Sequence, residues 1–289
     1  MNSLKPLQER IDNYLATYIS QFSPSNLQQA MSYSLLAGGK RIRPILVYLT
    51  GQMFNCPLMK LDSVAAAIES MHTYSLIHDD LPAMDNDNLR RGKPTCHIQF
   101  GQAEAILAGD ALQSLAFSLL SENQHIDNQS KIKMITELAR ASGIAGMCLG
   151  QSLDLQAEQQ KVTLEHLQNI HNHKTGALIQ AAVRLGAYAC GEEANPYYQN
   201  LDNYAQAIGL AFQIQDDILD VIGEQELMGK PQGSDMALEK STYPALVGLP
   251  NAIEMTQKLY LQAIDSLTQI PYNNQPLKDL AGFIINRNS

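Results

Sequence analysis

The stretch that decides the fold covers residues 69–94 and reads Glu69-Ser-Met-His72-Thr-Tyr-Ser-Leu-Ile-His78-Asp79-Asp80-Leu-Pro82-Ala-Met-Asp85-Asn-Asp87-Asn-Leu-Arg90-Arg91-Gly-Lys-Pro94. It is a helical run that ends in acidic residues and is followed by two arginines. The ring of Pro82 would clash with the carbonyl of His78, so we expect the helix to stop or kink near Asp79 and Asp80. Asp85 then returns towards Asp79 through an irregular turn. Clustered carboxylates with space for water suit Mg²⁺, which takes a few carboxylates plus phosphate oxygens.

A second interpretation of this acidic segment is a solvated helix end with no function, and for this segment alone it stays open. The C-terminal end of a helix carries the negative pole of its dipole, so acids placed there cost energy. That cost favours a functional interpretation only slightly. A second acidic cluster, described below, is therefore needed to decide between the two.

Composition limits the classes of protein to which the chain can belong. It has 289 residues, of which 45% are hydrophobic, and a net charge of −9. Such acidity argues against a nucleic-acid surface and against an anionic membrane. No apolar run reaches the roughly 18 residues of a membrane span, and the N-terminus has no apolar signal core. The cysteines lack a CxxC pair and are expected to be reduced thiols of a cytoplasmic protein, at Cys56, Cys96, Cys148 and Cys190.

Apolar residues recur at helical spacing along most of the chain. This pattern predicts helices over 4–22, 25–36, 40–53, 61–80, 102–120, 132–159, 164–189 and 198–221, with two or three more before the end. Residues 121–130 are expected to form a polar loop, and 223–239 a glycine-rich, mobile loop. No strand-like alternation, linker or repeat stands out. The sequence predicts one all-α domain, a bundle of long helices around a central cavity.

The second acidic cluster lies inside the apolar helix predicted over 198–221. Gln213, Asp216 and Asp220 are three or four residues apart, so they share one face. Burying like charges one turn apart is costly unless a cation neutralises them. An exposed acidic face is the alternative, and it fits poorly because Phe212 and Ile218 crowd the helix. Two Asp-Asp pairs on two long helices predict a shared cavity that holds several divalent ions.

Basic residues complement the acids at several places. Lys40, Arg41 and Arg43 follow a Gly-Gly turn at a predicted helix start, where backbone N–H groups and the dipole favour anions. Further basic residues are Arg90, Arg91, Lys174, Lys230 and Lys240. Taken singly, each is more commonly a plain surface charge. Together they predict sites for two highly anionic ligands, one on carboxylate-bound Mg²⁺ and one held directly by arginine and lysine.

In this order the motifs resemble those of the trans-isoprenyl diphosphate synthases, in particular the bacterial members that make farnesyl diphosphate. The resemblance covers nearly the whole chain and implies a single polyprenyl synthase domain over 1–289. The matching stretches are 38–44, 79–85 with 90–92, 150–151, 173–176, 212–220, 229–230 and 240–244. One departure is visible, because Asn86 and Asn88 stand where relatives often carry acids. The first and last aspartates of that motif, Asp79 and Asp85, are present.

The resemblance implies a role for individual residues. Metal ligands would be Asp79, Asp85 and Asp216, with Asp80 and Asp220 supporting. Isopentenyl diphosphate would be held by Lys40, Arg43, His72 and Arg91. The allylic diphosphate would be held by Arg90, Lys174, Thr175, Gln213, Lys230 and Lys240. Catalysis would involve Asp79, Asp80, Asp85, Asp216, Lys174, Thr175 and Gln213, with the oxygen dipoles of Thr175 and Gln213 facing the cation.

The reaction implied by the family is a condensation of diphosphates. Dimethylallyl and then geranyl diphosphate would lose pyrophosphate, and isopentenyl diphosphate would attack the resulting cation. Mg²⁺, about three ions per active site with Mn²⁺ as a substitute, would stabilise the leaving pyrophosphate. The family also implies a cytoplasmic homodimer that binds no nucleic acid.

Product length is expected to depend on Tyr74 and Ser75, which come five and four residues before Asp79. In the family a bulky side chain at this position closes the end of the hydrocarbon channel and limits product length, so Tyr74 favours a C15 product over C20. Geranyl- or geranylgeranyl-type products remain alternatives, and Tyr74 can equally be an ordinary core residue. His72 can likewise be a core histidine. It lies seven residues before Asp79, roughly 10 Å away along one helix face.

Three other functions remain to be weighed. Glu69-x-x-His72 and Glu122-x-x-His125 have the ligand spacing of ferritin-like di-iron bundles. A terpene cyclase shares the aspartate motif but needs no isopentenyl diphosphate site. A non-catalytic synthase subunit would normally lack aspartates in one motif, and here both motifs are complete.

Overall fold

The computed structural model describes residues 4–158, 160–222 and 241–287. Helices dominate the described chain, which confirms the all-α class. The first are α1 (Lys5–Ile19), α2 (Asn26–Leu35), α3 (Ile42–Met53), α4 (Leu58–Asp79), α5 (Cys96–Phe100), α6 (Gln102–Ser121), α7 (Asn128–Ser142) and α8 (Met147–Ala157). There follow α9 (Leu164–His171), a π-helical turn (Asn172–Gly176), α10 (Ala177–Tyr188), a 3-10 segment (Gly191–Tyr197), α11 (Tyr198–Ile222), α12 (Tyr243–Val247), α13 (Leu249–Thr268) and α14 (Gln275–Asn286).

A small hairpin follows α4, although the sequence predicted no strand. Strands β1 (Leu89–Arg90) and β2 (Lys93–Pro94) are antiparallel, with Arg90 opposite Lys93. The two residues between them, Arg91 and Gly92, have φ angles of 53° and 73°. Positive φ at both central positions is the geometry of a tight two-residue hairpin turn. Strands of two residues are too short to show alternation, which is why the sequence did not reveal them.

The described residues divide into two compact units. The first lies within 4–136 and 185–191, and the second lies within 137–184 and 192–287. The single-domain organisation over 1–289 and the shared central cavity stay predictions.

Helix α4 forms the core of the first unit. It is buried almost without interruption from Leu61 to Met71, and its small residues Ala65, Ala66 and Ala67 are completely buried. A helix that is apolar on all sides lies inside its fold. Helices α3 and α6 pack along it. The close approach of α3 depends on Gly51, where a Cβ atom would lie 2.5 Å from the side chain of Leu61.

The second unit is built on α11, which packs along α13. Leu167, Ile214, Ile218, Tyr243 and Ala252 form a buried apolar cluster there. The hydroxyl of the fully buried Tyr204 donates to the carbonyl of Leu277 at 2.8 Å, which ties α11 to α14. One face of α11 is thereby buried, while Asp216 on the same helix is exposed.

The single helix predicted over 132–159 is wrong. The structure has α7 and α8, separated by a turn at 143–146. A Cβ atom on Gly146 would lie 2.1 Å from the carbonyl oxygen of Ala141, so only glycine fits this turn. Helix α7 also begins inside the predicted 121–130 loop, because the carboxylate of Asp127 accepts from the Ser130 N–H at 2.9 Å and caps it.

The helix predicted over 164–189 is present over 164–188, and a π-helical turn lies within it. This turn contains Lys174 and packs against α8 at Gly150, where a Cβ atom would lie 2.0 Å from the backbone nitrogen of Lys174. A π-helical turn inserts one residue into a helix without ending it, so the sequence on either side still has a helical pattern.

Helix α6 is, among the described residues, the one helix long and apolar enough by composition to cross a membrane, and 44% of that stretch is buried inside the chain. Its buried face includes Ala105, Leu112 and Leu119, and it packs on α4. A core helix with one buried face passes the same test of composition. The absence of a membrane span stays a prediction.

We expect Gly150→Ala to destabilise the chain, because its new methyl group would meet the backbone of Lys174, which cannot turn aside as a side chain can. Overpacking of this kind costs about 1–3 kcal/mol. For a chain of this size that lowers the thermal unfolding midpoint by roughly 2–4 °C per kcal/mol.

Gly209→Ala is the matched control, since its Cβ atom would lie 3.4 Å from the Cα atom of Gly176, an ordinary contact. Helix propensity then predicts an unchanged or raised midpoint. Equal midpoints for the two variants would contradict the packing described for the π-helical turn.

Candidate active site

Helix α4 ends where the sequence predicts, and the turn after it carries the first acidic group. Asp79 is the last helical residue and Asp80 follows it as the cap. The backbone N–H of Asp85 donates to the carbonyl of Asp79 at 2.9 Å, so the chain does return from Pro82 towards the helix end. Asn86 has a φ of 53°, a left-handed conformation that asparagine tolerates better than most residues.

Asp80 is buried, unlike Asp79 and Asp85, and it forms an ion pair with Arg90. Its carboxylate accepts from Arg90 Nε at 2.8 Å and from Nη2 at 2.6 Å, a two-pronged ion pair. Burial acts to lower the pKa of Arg90, but the bonds to Asp80 outweigh it and the pKa is raised. Arg90 thus fastens the hairpin to the end of α4. A supporting role for Asp80 agrees with this pairing, whereas a diphosphate at Arg90 would have to share the guanidinium with Asp80.

The basic residues Lys40, Arg41 and Arg43 lie at the start of α3, and Arg41 anchors this segment to the rest of the first unit. Arg41 is buried and has a left-handed backbone, with φ 52°. Its guanidinium donates to Glu69 Oε1 at 2.6 Å and to Asp12 Oδ1 at 2.8 Å. It also donates to the carbonyl of Leu35 at 2.7 Å. Arg41 therefore anchors the loop, and Lys40 and Arg43 lie on either side of this anchor.

Arg91 reaches the same loop from the hairpin. Its guanidinium donates to the carbonyl of Gly38. Gly39 lies beside this guanidinium and has a φ of 122°, a conformation that residues with a side chain rarely adopt. The amide of Gln8 fixes the other end of the loop by donating to the carbonyl of Lys40 at 3.0 Å.

His72 lies within this group of cations. Burial lowers the pKa of its imidazole well below 6.5, and the positive charges of Arg43 and Arg91 lower it further. The ring is therefore neutral in the ligand-free chain at physiological pH. The structure thus brings Arg43, His72 and Arg91 within electrostatic reach of one another, in a region that favours a bound anion.

Tyr74 and Ser75 are half-buried on α4. The ring of Tyr74 packs edge-on against His78, with centroids 4.9 Å apart. His78 Nε2 lies 3.0 Å from the carbonyl oxygen of Ile106, in a space that exists because Gly109 has no side chain. The hydroxyl of Ser75 donates to the carbonyl of His72 at 2.8 Å. The role of Tyr74 and Ser75 in chain length stays a prediction.

The second unit has its own polar cavity of about 190 Å³. The π-helical turn presents Lys174, whose ammonium donates to Asp154 Oδ2 at 2.6 Å. Thr175 is the next residue of this turn. Further lining residues are His171, Gln213, Asp216, Asp217 and Thr242.

Gln213 and Asp216 meet on one face of α11, as their spacing predicts. The amide Nε2 of Gln213 lies 3.5 Å from Asp216 Oδ2, and its Oε1 lies 3.1 Å from His171 Nδ1. Burial lowers the pKa of His171, so its ring is neutral. Asp217 points into the core, where it accepts from the Tyr243 N–H at 2.9 Å. Asp220 lies one turn beyond Asp216 on the same helix.

Three residues of the second unit's site escaped sequence reasoning. Asp154 follows Gln151 by three residues, a spacing that could have indicated it. His171 precedes Lys174 by the same distance. Arg287, whose guanidinium donates to Asp216 Oδ1 at 2.6 Å, had no signal in the sequence. Lys230, Lys240 and the predicted 223–239 loop lie outside the described residues.

The acidic residues fit Mg²⁺ better than a metal held by protein ligands alone. Within the described ranges, no three or more His, Cys, Asp or Glu residues form a group that could hold a metal ion. Magnesium needs only one or two carboxylates, because substrate phosphates and water supply the other ligands. Asp79 and Asp85 are joined by one turn, and the Asp216 side chain is 46% exposed.

The di-iron alternative loses its first ligand pair in this structure. Glu69 is 2% exposed and its carboxylate accepts from Arg41. A guanidinium in that position excludes a second cation. His125 lies in the loop before α7, where its backbone N–H donates to Asn123.

Comparisons with known proteins show what this chain is similar to. The polyprenyl synthetase family model matches residues 24–272. A farnesyl diphosphate synthase of Escherichia coli (strain K12) is 53% identical over 99% of this chain and 96% of its own length. A crystal structure of a geranyltransferase from Legionella pneumophila has a TM-score of 0.88 at 38% identity and covers 99% of this chain and 96% of that one. A geranyltransferase from Helicobacter pylori, complexed with magnesium and isoprenyl diphosphate, has a TM-score of 0.84 at 32% identity and covers 99% and 97%.

We predict that His72 makes stability depend on pH. Because its folded-state pKa is lowered, the unfolded chain binds more protons between that pKa and 6.5. Stability is therefore complete above about 6.5 and decreases as the pH falls towards the folded-state pKa, by at most about 1.4 kcal/mol per pH unit. Urea unfolding of the parent and of His72→Asn between pH 5 and 8 measures this. The variant should show a shallower decrease, and identical slopes would contradict a neutral His72.

Proposed function

This chain belongs to the polyprenyl synthetase family, and from that membership we propose that it condenses isopentenyl diphosphate with dimethylallyl and then geranyl diphosphate to give farnesyl diphosphate. The observation that carries the proposal lies on α4. One helix carries His72 within a group of arginines and ends at Asp79, beside the turn of Asp85. One helix therefore carries a cationic site that can bind one diphosphate directly and a carboxylate site that can bind a second one through Mg²⁺. This suits two diphosphates that react with each other.

We assign isopentenyl diphosphate to Lys40, Arg43, His72 and Arg91. The ion pairs of the buried Arg41 hold the segment that carries Lys40 and the start of α3 with Arg43, while Arg91 is held at Gly38. Arginines placed before the ligand arrives lose little side-chain freedom on binding it. Isopentenyl diphosphate is also the substrate that a terpene cyclase does not need, so this site favours a synthase.

The allylic diphosphate is assigned to the acidic groups with their cations. Asp79, Asp85 and Asp216 would hold Mg²⁺, with Asp80 and Asp220 supporting, about three ions per site and Mn²⁺ as a substitute. Bound Mg²⁺ supplies the positive charge that stabilises the departing pyrophosphate. Asp80 orients Arg90, and Asp154 orients Lys174, so both cations are in place for the diphosphate. Lys230 and Lys240 complete this assignment from the resemblance alone.

Stabilising the allylic cation falls to side-chain oxygens of the second unit. Thr175 lies in the π-helical turn, a kind of interruption that often occurs at functional sites. The oxygen of Gln213 is oriented by its contact with His171 Nδ1. Oxygen dipoles that are fixed in advance stabilise a developing positive charge without reorganisation. The departing pyrophosphate is the proposed base for the final proton.

We assign homodimerisation to the exposed apolar face of α6. Leu107 is 51% exposed and Ile106 is 44% exposed. Adjacent exposed aliphatic side chains on a long helix are typical of a surface that another chain covers. The proposed compartment is the cytoplasm, and nucleic acid is not a proposed partner.

The function is tested by incubating the protein with dimethylallyl and isopentenyl diphosphates and Mg²⁺, then sizing the dephosphorylated alcohols. We expect a C15 alcohol, and none when Mg²⁺ is chelated. Asp79→Asn removes a proposed metal ligand and should lower kcat by about 10³-fold, with the unfolding midpoint retained.

Asp110→Asn is the matched control, since it removes a carboxylate from α6 whose side chain is 60% exposed. Its activity should equal that of the parent. Full activity of Asp79→Asn would contradict the proposed metal ligands. If the parent protein makes no product, the proposed reaction is wrong.

Tyr74→Ala should lengthen the product from C15 towards C20, because the shortened side chain no longer blocks the growing hydrocarbon. Chromatography of the dephosphorylated products measures the shift. Tyr74→Phe keeps the ring and should keep the C15 product. An unchanged C15 product from Tyr74→Ala would place the end of the channel elsewhere.

A further inference from the structure

Arg287 follows the last residue of α14 and is buried to a degree that is unusual for an arginine. Its side chain is 3% exposed, and it is the last residue that the structure describes. Arginine is rarely fully buried unless its charge is paired. Its contacts therefore indicate what the burial serves.

The contacts of Arg287 converge on α11. Nη2 donates to Asp216 Oδ1 at 2.6 Å and to the Phe212 carbonyl oxygen at 3.0 Å, one helical turn earlier. The guanidinium carbon lies 4.2 Å from the centroid of the Phe212 ring, a cation–π contact. The Arg287 carbonyl in turn accepts from Gln215 Nε2 at 3.4 Å. These contacts hold the guanidinium at a fixed position beside Asp216.

The two members of this ion pair differ greatly in exposure. The Asp216 side chain is 46% exposed and lines the second unit's cavity, whereas the guanidinium lies behind it in the protein. An exposed carboxylate on a helix would otherwise sample several rotamers. A buried cation bonded to Oδ1 restricts it to one orientation, with Oδ2 on the side of Gln213.

We propose that Arg287 is a positioning residue for Asp216, holding its carboxylate ready for the metal-bound diphosphate. The inference rests on the proposed function of Asp216 as a metal ligand. The guanidinium bonded to Oδ1 keeps the carboxylate in one orientation, so the carboxylate loses little side-chain freedom when the metal-bound diphosphate arrives. Loss of Arg287 removes this orientation and weakens binding.

The test is calorimetric titration with Mg²⁺ and inorganic pyrophosphate, in the absence of turnover. Arg287→Ala should weaken binding about tenfold, the effect of losing one oriented charged contact. Arg287→Lys keeps the charge but not the planar fork, so it should recover only part of the loss. Arg140→Ala removes an exposed arginine from α7 and should bind as the parent does. If Arg287→Ala does not fold, Arg287→Lys provides the same comparison.

A double-variant cycle separates positioning from a general structural effect. In an Asp216→Asn background, Arg287→Ala should change pyrophosphate binding by less than about twofold, because the partner it orients is gone. The KM for isopentenyl diphosphate should stay unchanged in Arg287→Ala, since the residues assigned to that substrate belong to the first unit.

Parent-like pyrophosphate binding by Arg287→Ala would overturn the inference, and so would an undiminished effect in the Asp216→Asn background. In both cases the parent still binds pyrophosphate and makes product, so the proposed function stands. A parent that binds no pyrophosphate with Mg²⁺ and makes no product would overturn the proposed function, and the inference with it.

Discussion

The ion pair between Asp80 and Arg90 is the interaction on which the first unit's site depends. Both residues lie at the end of α4 and its hairpin, and the two-pronged contact fixes one to the other. Removing one partner of such a buried pair leaves an uncompensated charge and costs about 3–5 kcal/mol. The pair therefore stabilises the turn that carries Asp79 and Asp85. Arg41 acts in the same way for the basic loop, through Glu69 and Asp12.

In the second unit the corresponding constraint is steric. Gly150 lets α8 approach the backbone of Lys174, so the π-helical turn is fitted against a neighbouring helix. Ion pairs then orient the functional side chains on either side of this contact, Lys174 by Asp154 and Asp216 by Arg287. In both units, the side chains proposed to bind substrate or metal are held in place by neighbours that are not proposed to contact the substrate.

Sequence reasoning succeeded where local rules decide the structure. Pro82 predicted the end of α4, and helical spacing predicted the shared face of Gln213 and Asp216. It failed where close backbone packing decides. The turn at Gly146 and the π-helical turn at Lys174 are fitted to backbone contacts that the spacing of apolar residues does not encode. Arg287 escaped notice because its partner Asp216 is 71 residues away.

We propose that carboxylates of both acidic motifs hold the metal ions that bind a diphosphate. Anomalous scattering from crystals grown with Mn²⁺ and inorganic pyrophosphate tests this proposal. We expect manganese peaks at coordination distance from the carboxylates of Asp79 and Asp85 and from that of Asp216. Pyrophosphate bound to arginines and lysines alone, with no manganese at these three carboxylates, would contradict it.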